Sequence, residues 1–455
     1  PAYNSKGRRL PGGSDGYRLA HPGAPSLQER IRVLYPSFTE EELAVFTHRL
    51  QQHPSGARVE LSRLHAEFIR LSSDLDIWAN AEVNVHPLTG ADLSPAQIAA
   101  NRNNRQLLNS ELQRCWRRQT ALDEATAQAP DPDYLFSFIH PIIGELPAFE
   151  ADFSHITHVV LEGNEMTLGG EAFLNHFTGM RRLAVRDIAL PNLPEVIATR
   201  PDMTQLIISN CRLRLSAETQ AVIAALSKMR TLDLYRNPLG LSFSVEGMPA
   251  LEYLDLNDCQ LTSVPAGLAT RTVLRGAILS DNAISELPVE LFDLPPERVN
   301  RFDFGDNPFS DATRNRIKAN FQRIRQDFGV VAPQADLERA VNLYPLQGRE
   351  EASDFVYRLP GTLETGRIEL TRLETEYSTM VNALAAWTAD VPALHPVTQQ
   401  PFTPLQLLLE HSTRDNFKRE IEKAWRKDLE LDQFNNPLDP SEPSYELDIE
   451  MIIIG

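Results

Sequence analysis

The chain has 455 residues, with 44 Lys and Arg against 62 Asp and Glu, a formal net charge of -18. That balance disfavours a nucleic-acid partner, which needs a basic face, and an anionic membrane surface. No apolar run reaches the eighteen residues of a membrane span, and Cys115, Cys211 and Cys259 lack the spacing of a disulfide framework or a zinc site.

In chain order, residues 1–25 are rich in Gly, Pro, Ser and basic residues and read as a flexible lead-in without the apolar core of a signal peptide. The chain starts at Pro1 and is expected to be cut from something longer. Residues 26–130 read as a helical module. Thr39 with Glu42 fits a capping box. Leu61, Leu64, Phe68, Leu71, Leu75 and Trp78 alternate in steps of three and four, which draws one apolar stripe on a long helix. A turn containing HPLTG follows. Ser94-Pro95 then offers an N-cap with proline at the first helical position, and Leu108, Leu112 and Trp116 mark the next helix. The pattern predicts an antiparallel helical hairpin.

This module recurs at residues 326–438. ERIRVLYP (29–36) matches ERAVNLYP (338–345), and RVELSRL (58–64) matches RIELTRL (367–373). HPLTG (86–90) matches HPVTQ (395–399), and LQRCWRR (112–118) matches IEKAWRK (421–427). Every pair is offset by 309 residues, and all four tryptophans, Trp78, Trp116, Trp387 and Trp425, occupy matched places. The alignment bears on ELQRCWRRQT (111–120). A thiol among arginines is a candidate nucleophile, because nearby positive charge lowers its pKa. The position matching Cys115 is Ala424, however, while the tryptophan and basic residues around it are retained. Cys for Ala is a swap between two small buried residue types, so Cys115 reads as structural. His86 and His395 stand before prolines in a turn and read as turn residues.

Residues 131–325 change pattern. ITHVVLEGNEM begins at Ile156, MRRLAVRDIAL at Met180, MTQLIISNCRL at Met203 and MRTLDLYRNPL at Met229. LEYLDLNDCQL begins at Leu251, LRGAILSDNAI at Leu274 and VNRFDFGDNPF at Val299. Each fits LxxLxLxxNxL, the leucine-rich repeat signature. About seven repeats, each with a short strand on a concave side, predict an α/β solenoid flanked by two all-α hairpin domains. Asn164, Cys211, Asn237, Cys259, Asn282 and Asn307 take the ladder position, where the side chain serves buried backbone groups of the turn. Ile188 breaks the rule and predicts an irregular second repeat. The concave side should present Arg182, Arg186, Gln205, Ser209, Asp233, Tyr235, Tyr253, Asp255, Asn257 and Asp303, basic early and acidic late. Exposed Tyr, Asp and Arg on such a face suit a protein partner.

The sequence offers no candidate catalytic or metal-ligating set: no GxxxxGK[ST] or GxGxxG loop, no HExxH and no GxSxG elbow. No cofactor is implied, and this chain is not expected to be an enzyme.

Repeats of this type between modules bearing LYP, a Leu/Trp stripe, HPLTG and CWRRQT resemble bacterial leucine-rich-repeat effector or toxin-like proteins. In that group such blocks accompany dermonecrotic-toxin-like regions or a novel E3 ubiquitin ligase domain. The resemblance implies secretion or delivery to a host cell, and a host protein as partner. The ligase domain's Cys-x-Asp motif is absent, since the cysteines read Cys115-Trp-Arg, Cys211-Arg-Leu and Cys259-Gln-Leu. If the parent protein is a ligase, its catalytic domain is expected outside this chain. Residues 439–455 resemble the stretch leading into the first repeat and read as the start of a truncated next block. A purely structural segment is the remaining alternative.

Overall fold

A computed structural model describes residues 25–129, 132–240, 242–343, 349–392 and 394–432. The lead-in (apart from Pro25) and residues 439–455 therefore lie outside the described residues. The chain divides into two compact units, Pro1–Asn237 and Pro238–Gly455. The division falls inside the leucine-rich region rather than at its edges.

The first unit opens with α1 (Leu27–Leu34), α2 (Glu40–Gln51), α3 (Ala57–Asn80) and α4 (Pro95–Trp116). Local chemistry fixes their starts. Ser26 with Glu29, Thr39 with Glu42 and Ser94 with Gln97 all form capping boxes, each satisfying two backbone donors that a helix end leaves open. Leu61, Leu71 and Leu75 of α3 and Leu108, Leu112 and Trp116 of α4 are buried. The two helices run antiparallel: Ser72 Oγ donates to Gln113 Oε1 and Asn109 Nδ2 to Asp76 Oδ1. Tyr35 and Phe68 stack on Trp116 at 5.5 and 5.1 Å, which ties α1 to the hairpin.

The strands follow as β1 (Tyr134–Phe138), β2 (Gly144–Glu145), β3 (Ile156–Glu162), β4 (Thr167–Leu168), β5 (Arg182–Arg186), β6 (Gln205–Ser209) and β7 (Thr231–Asp233). Short helices α5 (Gly170–Leu174), α6 (Glu195–Ala198) and α7 (Ala217–Ala224) alternate with them. Strands β1-β3-β5-β6-β7 lie side by side, all parallel. Strand β1 precedes the first signature match. It covers the outer edge of β3 and buries Tyr134, Phe136 and Phe138, so the apolar end of the repeat stack is not left open.

The second unit carries β8 (Tyr253–Asp255), β9 (Gly276–Ile278) and β10 (Phe302–Asp303), again parallel in chain order. A 3₁₀ turn (Leu268–Thr270), α8 (Val289–Phe292) and α9 (Pro296–Val299) connect them. Then come α10 (Asp311–Ile324), α11 (Gln334–Leu343), α12 (Arg349–Arg358), α13 (Leu363–Ala389) and α14 (Pro404–Asp432). Each of the seven signature segments thus carries one strand. Phe304 N donates to Phe328 O at 2.8 Å, and Phe328 sits against Phe292 and Phe304. The residues just past α10 therefore close the last strand.

The α13–α14 pair repeats the α3–α4 pair in detail. His86 Nδ1 accepts from Leu88 N and Thr89 N, as His395 Nδ1 does from Val397 N and Thr398 N. Phe68 lies 5.1 Å from Trp116 and Tyr377 4.9 Å from Trp425. Arg63 bridges Glu60 and Glu67, and Arg372 bridges Glu369 and Glu376.

Candidate functional site

The strand alternation sends Leu183, Val185, Leu206, Ile208 and Leu232 into the core and the intervening residues to the opposite face. In the first unit that face carries Arg182, Ala184 and Arg186 on β5, beside Gln205, Ile207 and Ser209 on β6. Ile207 in turn lies beside Asp233. Not all of these are available to a partner. The Arg182 guanidinium is paired with Asp123, a buried carboxylate that also accepts from Thr157 Oγ1 at 2.6 Å and Ala125 N at 2.9 Å. Burial alone would raise the Asp123 pKa, but these donors and the Arg182 charge hold it below the ordinary range. Arg182 is therefore a clamp on the segment after α4 rather than a free basic contact. Ser209 is buried and donates to Asp233 Oδ1 at 3.1 Å. Arg186, Gln205, Asp233 and Tyr235 are half-buried. Ala184 and Ile207, absent from the polar and aromatic residues expected on this face, make its middle apolar and close-packed.

In the second unit the register sets Ile278 between Asp255 and Asp303. Ile278 is 40% exposed and Tyr253, on the same face, 47%. Gly276, opposite Tyr253, leaves room beside the ring: a Cβ there would lie 3.8 Å from Tyr253 Cδ1. Asn257 Nδ2 donates to Ser280 Oγ at 2.7 Å and to Asp281 Oδ2 at 2.9 Å, which fixes its orientation.

The aspartates share a local role. Asp233 Oδ1 accepts from Tyr235 N, Asp255 Oδ1 from Asn257 N and Asp303 Oδ1 from Gly305 N, at 2.9–3.0 Å. Each thus closes the end of its strand with a side-chain turn. A face-only view of these residues misses that job. The LDL and FDF strings were its signal.

Behind the strands lies the ladder. Asn237 Oδ1 accepts from Cys211 N and Leu213 N at 3.0 and 2.9 Å, and its Nδ2 donates to Leu234 O and Tyr235 O. Asn282 does the same for Cys259 N and Leu261 N. Asn307 Oδ1 accepts from Ile284 N at 3.0 Å. The Cys211 thiol donates to Ser209 O at 3.1 Å, and Cys259 to Asn257 O at 3.4 Å, so a thiol covers part of the asparagine's duty. Asn164 departs from the series. It is half-buried, and its Oδ1 accepts from Met166 N and Thr167 Oγ1 within its own turn. The next ladder slot holds Ile188, buried as hydrocarbon. A Cβ on Gly163 would meet Ile188 Cγ1 at 2.8 Å, so the glycine makes room for the exception.

Cys115 is buried, and burial pushes its thiol pKa well up, away from the thiolate. His155 stands close by, but its Nε2 contacts the Cys115 carbonyl at 2.9 Å, not the sulfur. Among the described residues no group of His, Cys, Asp or Glu could hold a metal ion, and no helix is long and apolar enough to cross a membrane.

Parallel strands, a buried Asn/Cys ladder and connecting short helices define a leucine-rich repeat, an architecture generally used as a protein-interaction module. The family model described as Leucine Rich Repeat matches residues 250–270. Solved structures to which the chain is similar include a leucine-rich-repeat protein of Leptospira interrogans, at 18% identity and a TM-score of 0.29, covering 42% of this chain and 54% of that one. The functional domain of InlJ from Listeria monocytogenes, which includes a cysteine ladder, matches at 18% identity and a TM-score of 0.25, covering 32% of this chain and 30% of that one. The ectodomain of a plant receptor kinase from Arabidopsis thaliana matches at 14% identity and a TM-score of 0.27, covering 40% and 29%. The chain thus spans about half of the Leptospira protein and under a third of the other two. No curated protein matches it.

Proposed function

We propose that this chain is a protein-binding module whose strand face engages a protein partner. The observation that carries the reading is Ile278, exposed between the Asp255 and Asp303 carboxylates beside an exposed Tyr253. An apolar and an aromatic anchor, rimmed by charge, is the composition of an interaction hot spot. The resemblance noted in the sequence extends the proposal: the module serves a larger secreted bacterial effector or toxin-like protein, and the partner is a host protein. The chain itself performs no catalysis on this reading. Its one thiol among arginines is enclosed, and an E3 ligase activity, if the parent protein has it, resides in another domain.

The test is a pull-down from eukaryotic lysate read by mass spectrometry. Wild type is compared with Tyr253→Ala/Ile278→Lys, which spares the strand-closing aspartates, with folding checked by circular dichroism. A protein retained by wild type alone supports the reading. Identical retained sets refute the assignment to this face.

A further inference from the structure

The two helical copies differ in what covers them. In the first, the stretch around β1 and β2 lies on the hairpin. Asn101 holds the backbone of Ile143 at both ends, its Nδ2 donating to Ile143 O at 3.0 Å and its Oδ1 accepting from Ile143 N at 2.8 Å. Asn104 Nδ2 donates to Pro141 O at 2.8 Å, and Trp78 Nε1 to Glu145 O at 2.9 Å. Ile142 and Ile143 are buried, as are Leu71, Leu75, Leu108 and Leu112 of the two helices. The second pair holds Met380, Leu384, Phe417 and Ile421 at those four helical places, at the common offset of 309. It also keeps the clasp of arginine on tryptophan, Arg414 over Trp387 at 4.9 Å as Arg105 lies over Trp78 at 4.4 Å. Yet Met380, Leu384, Phe417 and Ile421 are only half-buried, and Trp387 is 41% exposed where Trp78 is half-buried. Apolar side chains left open together mark a docking surface.

The sequence after α14 supplies a matching cover. Tyr445, Leu447, Ile449, Ile453, Ile454 and Gly455 repeat the spacing of Tyr134, Phe136, Phe138, Ile142, Ile143 and Gly144, at an offset of 311. In the first copy the alternate residues of that run are the buried ones of β1, and its second isoleucine is the one Asn101 holds. We propose that the open face of α13–α14 is a docking surface for residues Tyr445–Gly455 of this chain, seated there as Tyr134–Gly144 sits on α3–α4. Twelve residues separate Asp432 from Tyr445, a connection that spans about 40 Å when extended, so reach does not limit the contact. Glu410 stands where Asn101 does, and its Oε1 accepts from Arg414 Nε at 3.1 Å. A carboxylate keeps the acceptor that Asn101 offers Ile143 and drops the donor. The seat is therefore mainly apolar, carried by Leu447, Ile449 and Ile453. It lies on the helical module and does not depend on the strand-face reading above.

Hydrogen exchange of the full chain, at a low and a high protein concentration, tests the assignment. In the wild type the Leu447 and Ile449 amides should exchange at least about tenfold slower than in an unstructured peptide. In Ile449→Asp/Ile453→Asp, amides between residues 377 and 421 should exchange about tenfold faster than in the wild type, while those of residues 254–261 in the repeats stay unchanged. Wild-type Leu447 and Ile449 amides exchanging at the unstructured rate, or equal exchange of the helical pair in both proteins, overturn the proposal. Protection of the pair that rises with protein concentration and survives the substitutions gives the face to a second copy of the chain, and also overturns it. If the double variant loses protection throughout the repeats, the wild-type Leu447 and Ile449 amides decide alone.

Discussion

Asn237→Ala tests the ladder most sharply. The amide is fully buried and accepts from Cys211 N and Leu213 N. Alanine leaves both donors buried without a side-chain acceptor. At about 1–3 kcal/mol for each unsatisfied donor, the local loss should be about 2–6 kcal/mol. Hydrogen exchange reads it where it occurs, since a chain of several units does not unfold as one transition. Amides between residues 205 and 215 should exchange about 100-fold faster for a loss near 3 kcal/mol. Asn164→Ala is the control: that amide bonds only within its own turn and is half-buried, so its removal should cost less than about 1 kcal/mol. If the two variants accelerate exchange alike, or Asn237→Ala does so by less than about tenfold, the ladder does not carry the load assigned to it.

Two more outcomes follow from buried groups near α4. Cys115→Ala should lower stability by only about 1 kcal/mol, and the native Cys115 thiol should resist thiol reagents until the chain unfolds. A reducible ubiquitin conjugate on Cys115, formed with activating and conjugating enzymes, would refute its structural role. His155 gives a pH signature. Burial, aided by the Arg118 charge, depresses its pKa from 6.5 to about 3, so the native imidazole is neutral while the unfolded one takes a proton below 6.5. Its contribution is therefore full above that pH and falls as pH drops toward 3. The fall in melting temperature between pH 7 and pH 5 should be smaller in His155→Phe than in wild type. Equal falls would show that His155 is not held neutral.

Much of the architecture was legible because its signals are local. A strand every 22 to 26 residues, an asparagine or cysteine at the ladder position after all but one of the signature strands and apolar steps of three and four each report a period set by backbone geometry. Capping boxes join residues only three positions apart and can be read directly. The candidate site was less legible. Its residue positions follow from alternation, but their availability does not. Arg182 is claimed by Asp123, 59 residues away, and Ser209 by Asp233, 24 residues away. Ala184 and Ile207 share that face but are no conspicuous residue types, and the strand-closing work of the aspartates appears only with the turns in place.

The two helical copies show the division most clearly. Their common sequence dictates the same turn at His86 and His395 and the same clasp of arginine on tryptophan. What that sequence becomes depends on what packs against it. In the first copy Ile143 takes both ends of Asn101, and Trp78 Nε1 donates to Glu145 O at 2.9 Å; Trp387, its counterpart, is 41% exposed. The sequence alone determined the repeating units, because periodicity and capping act between near neighbours. Only the tertiary structure decided which charges are paired, buried or open, because those partners are brought together by the fold across tens of residues.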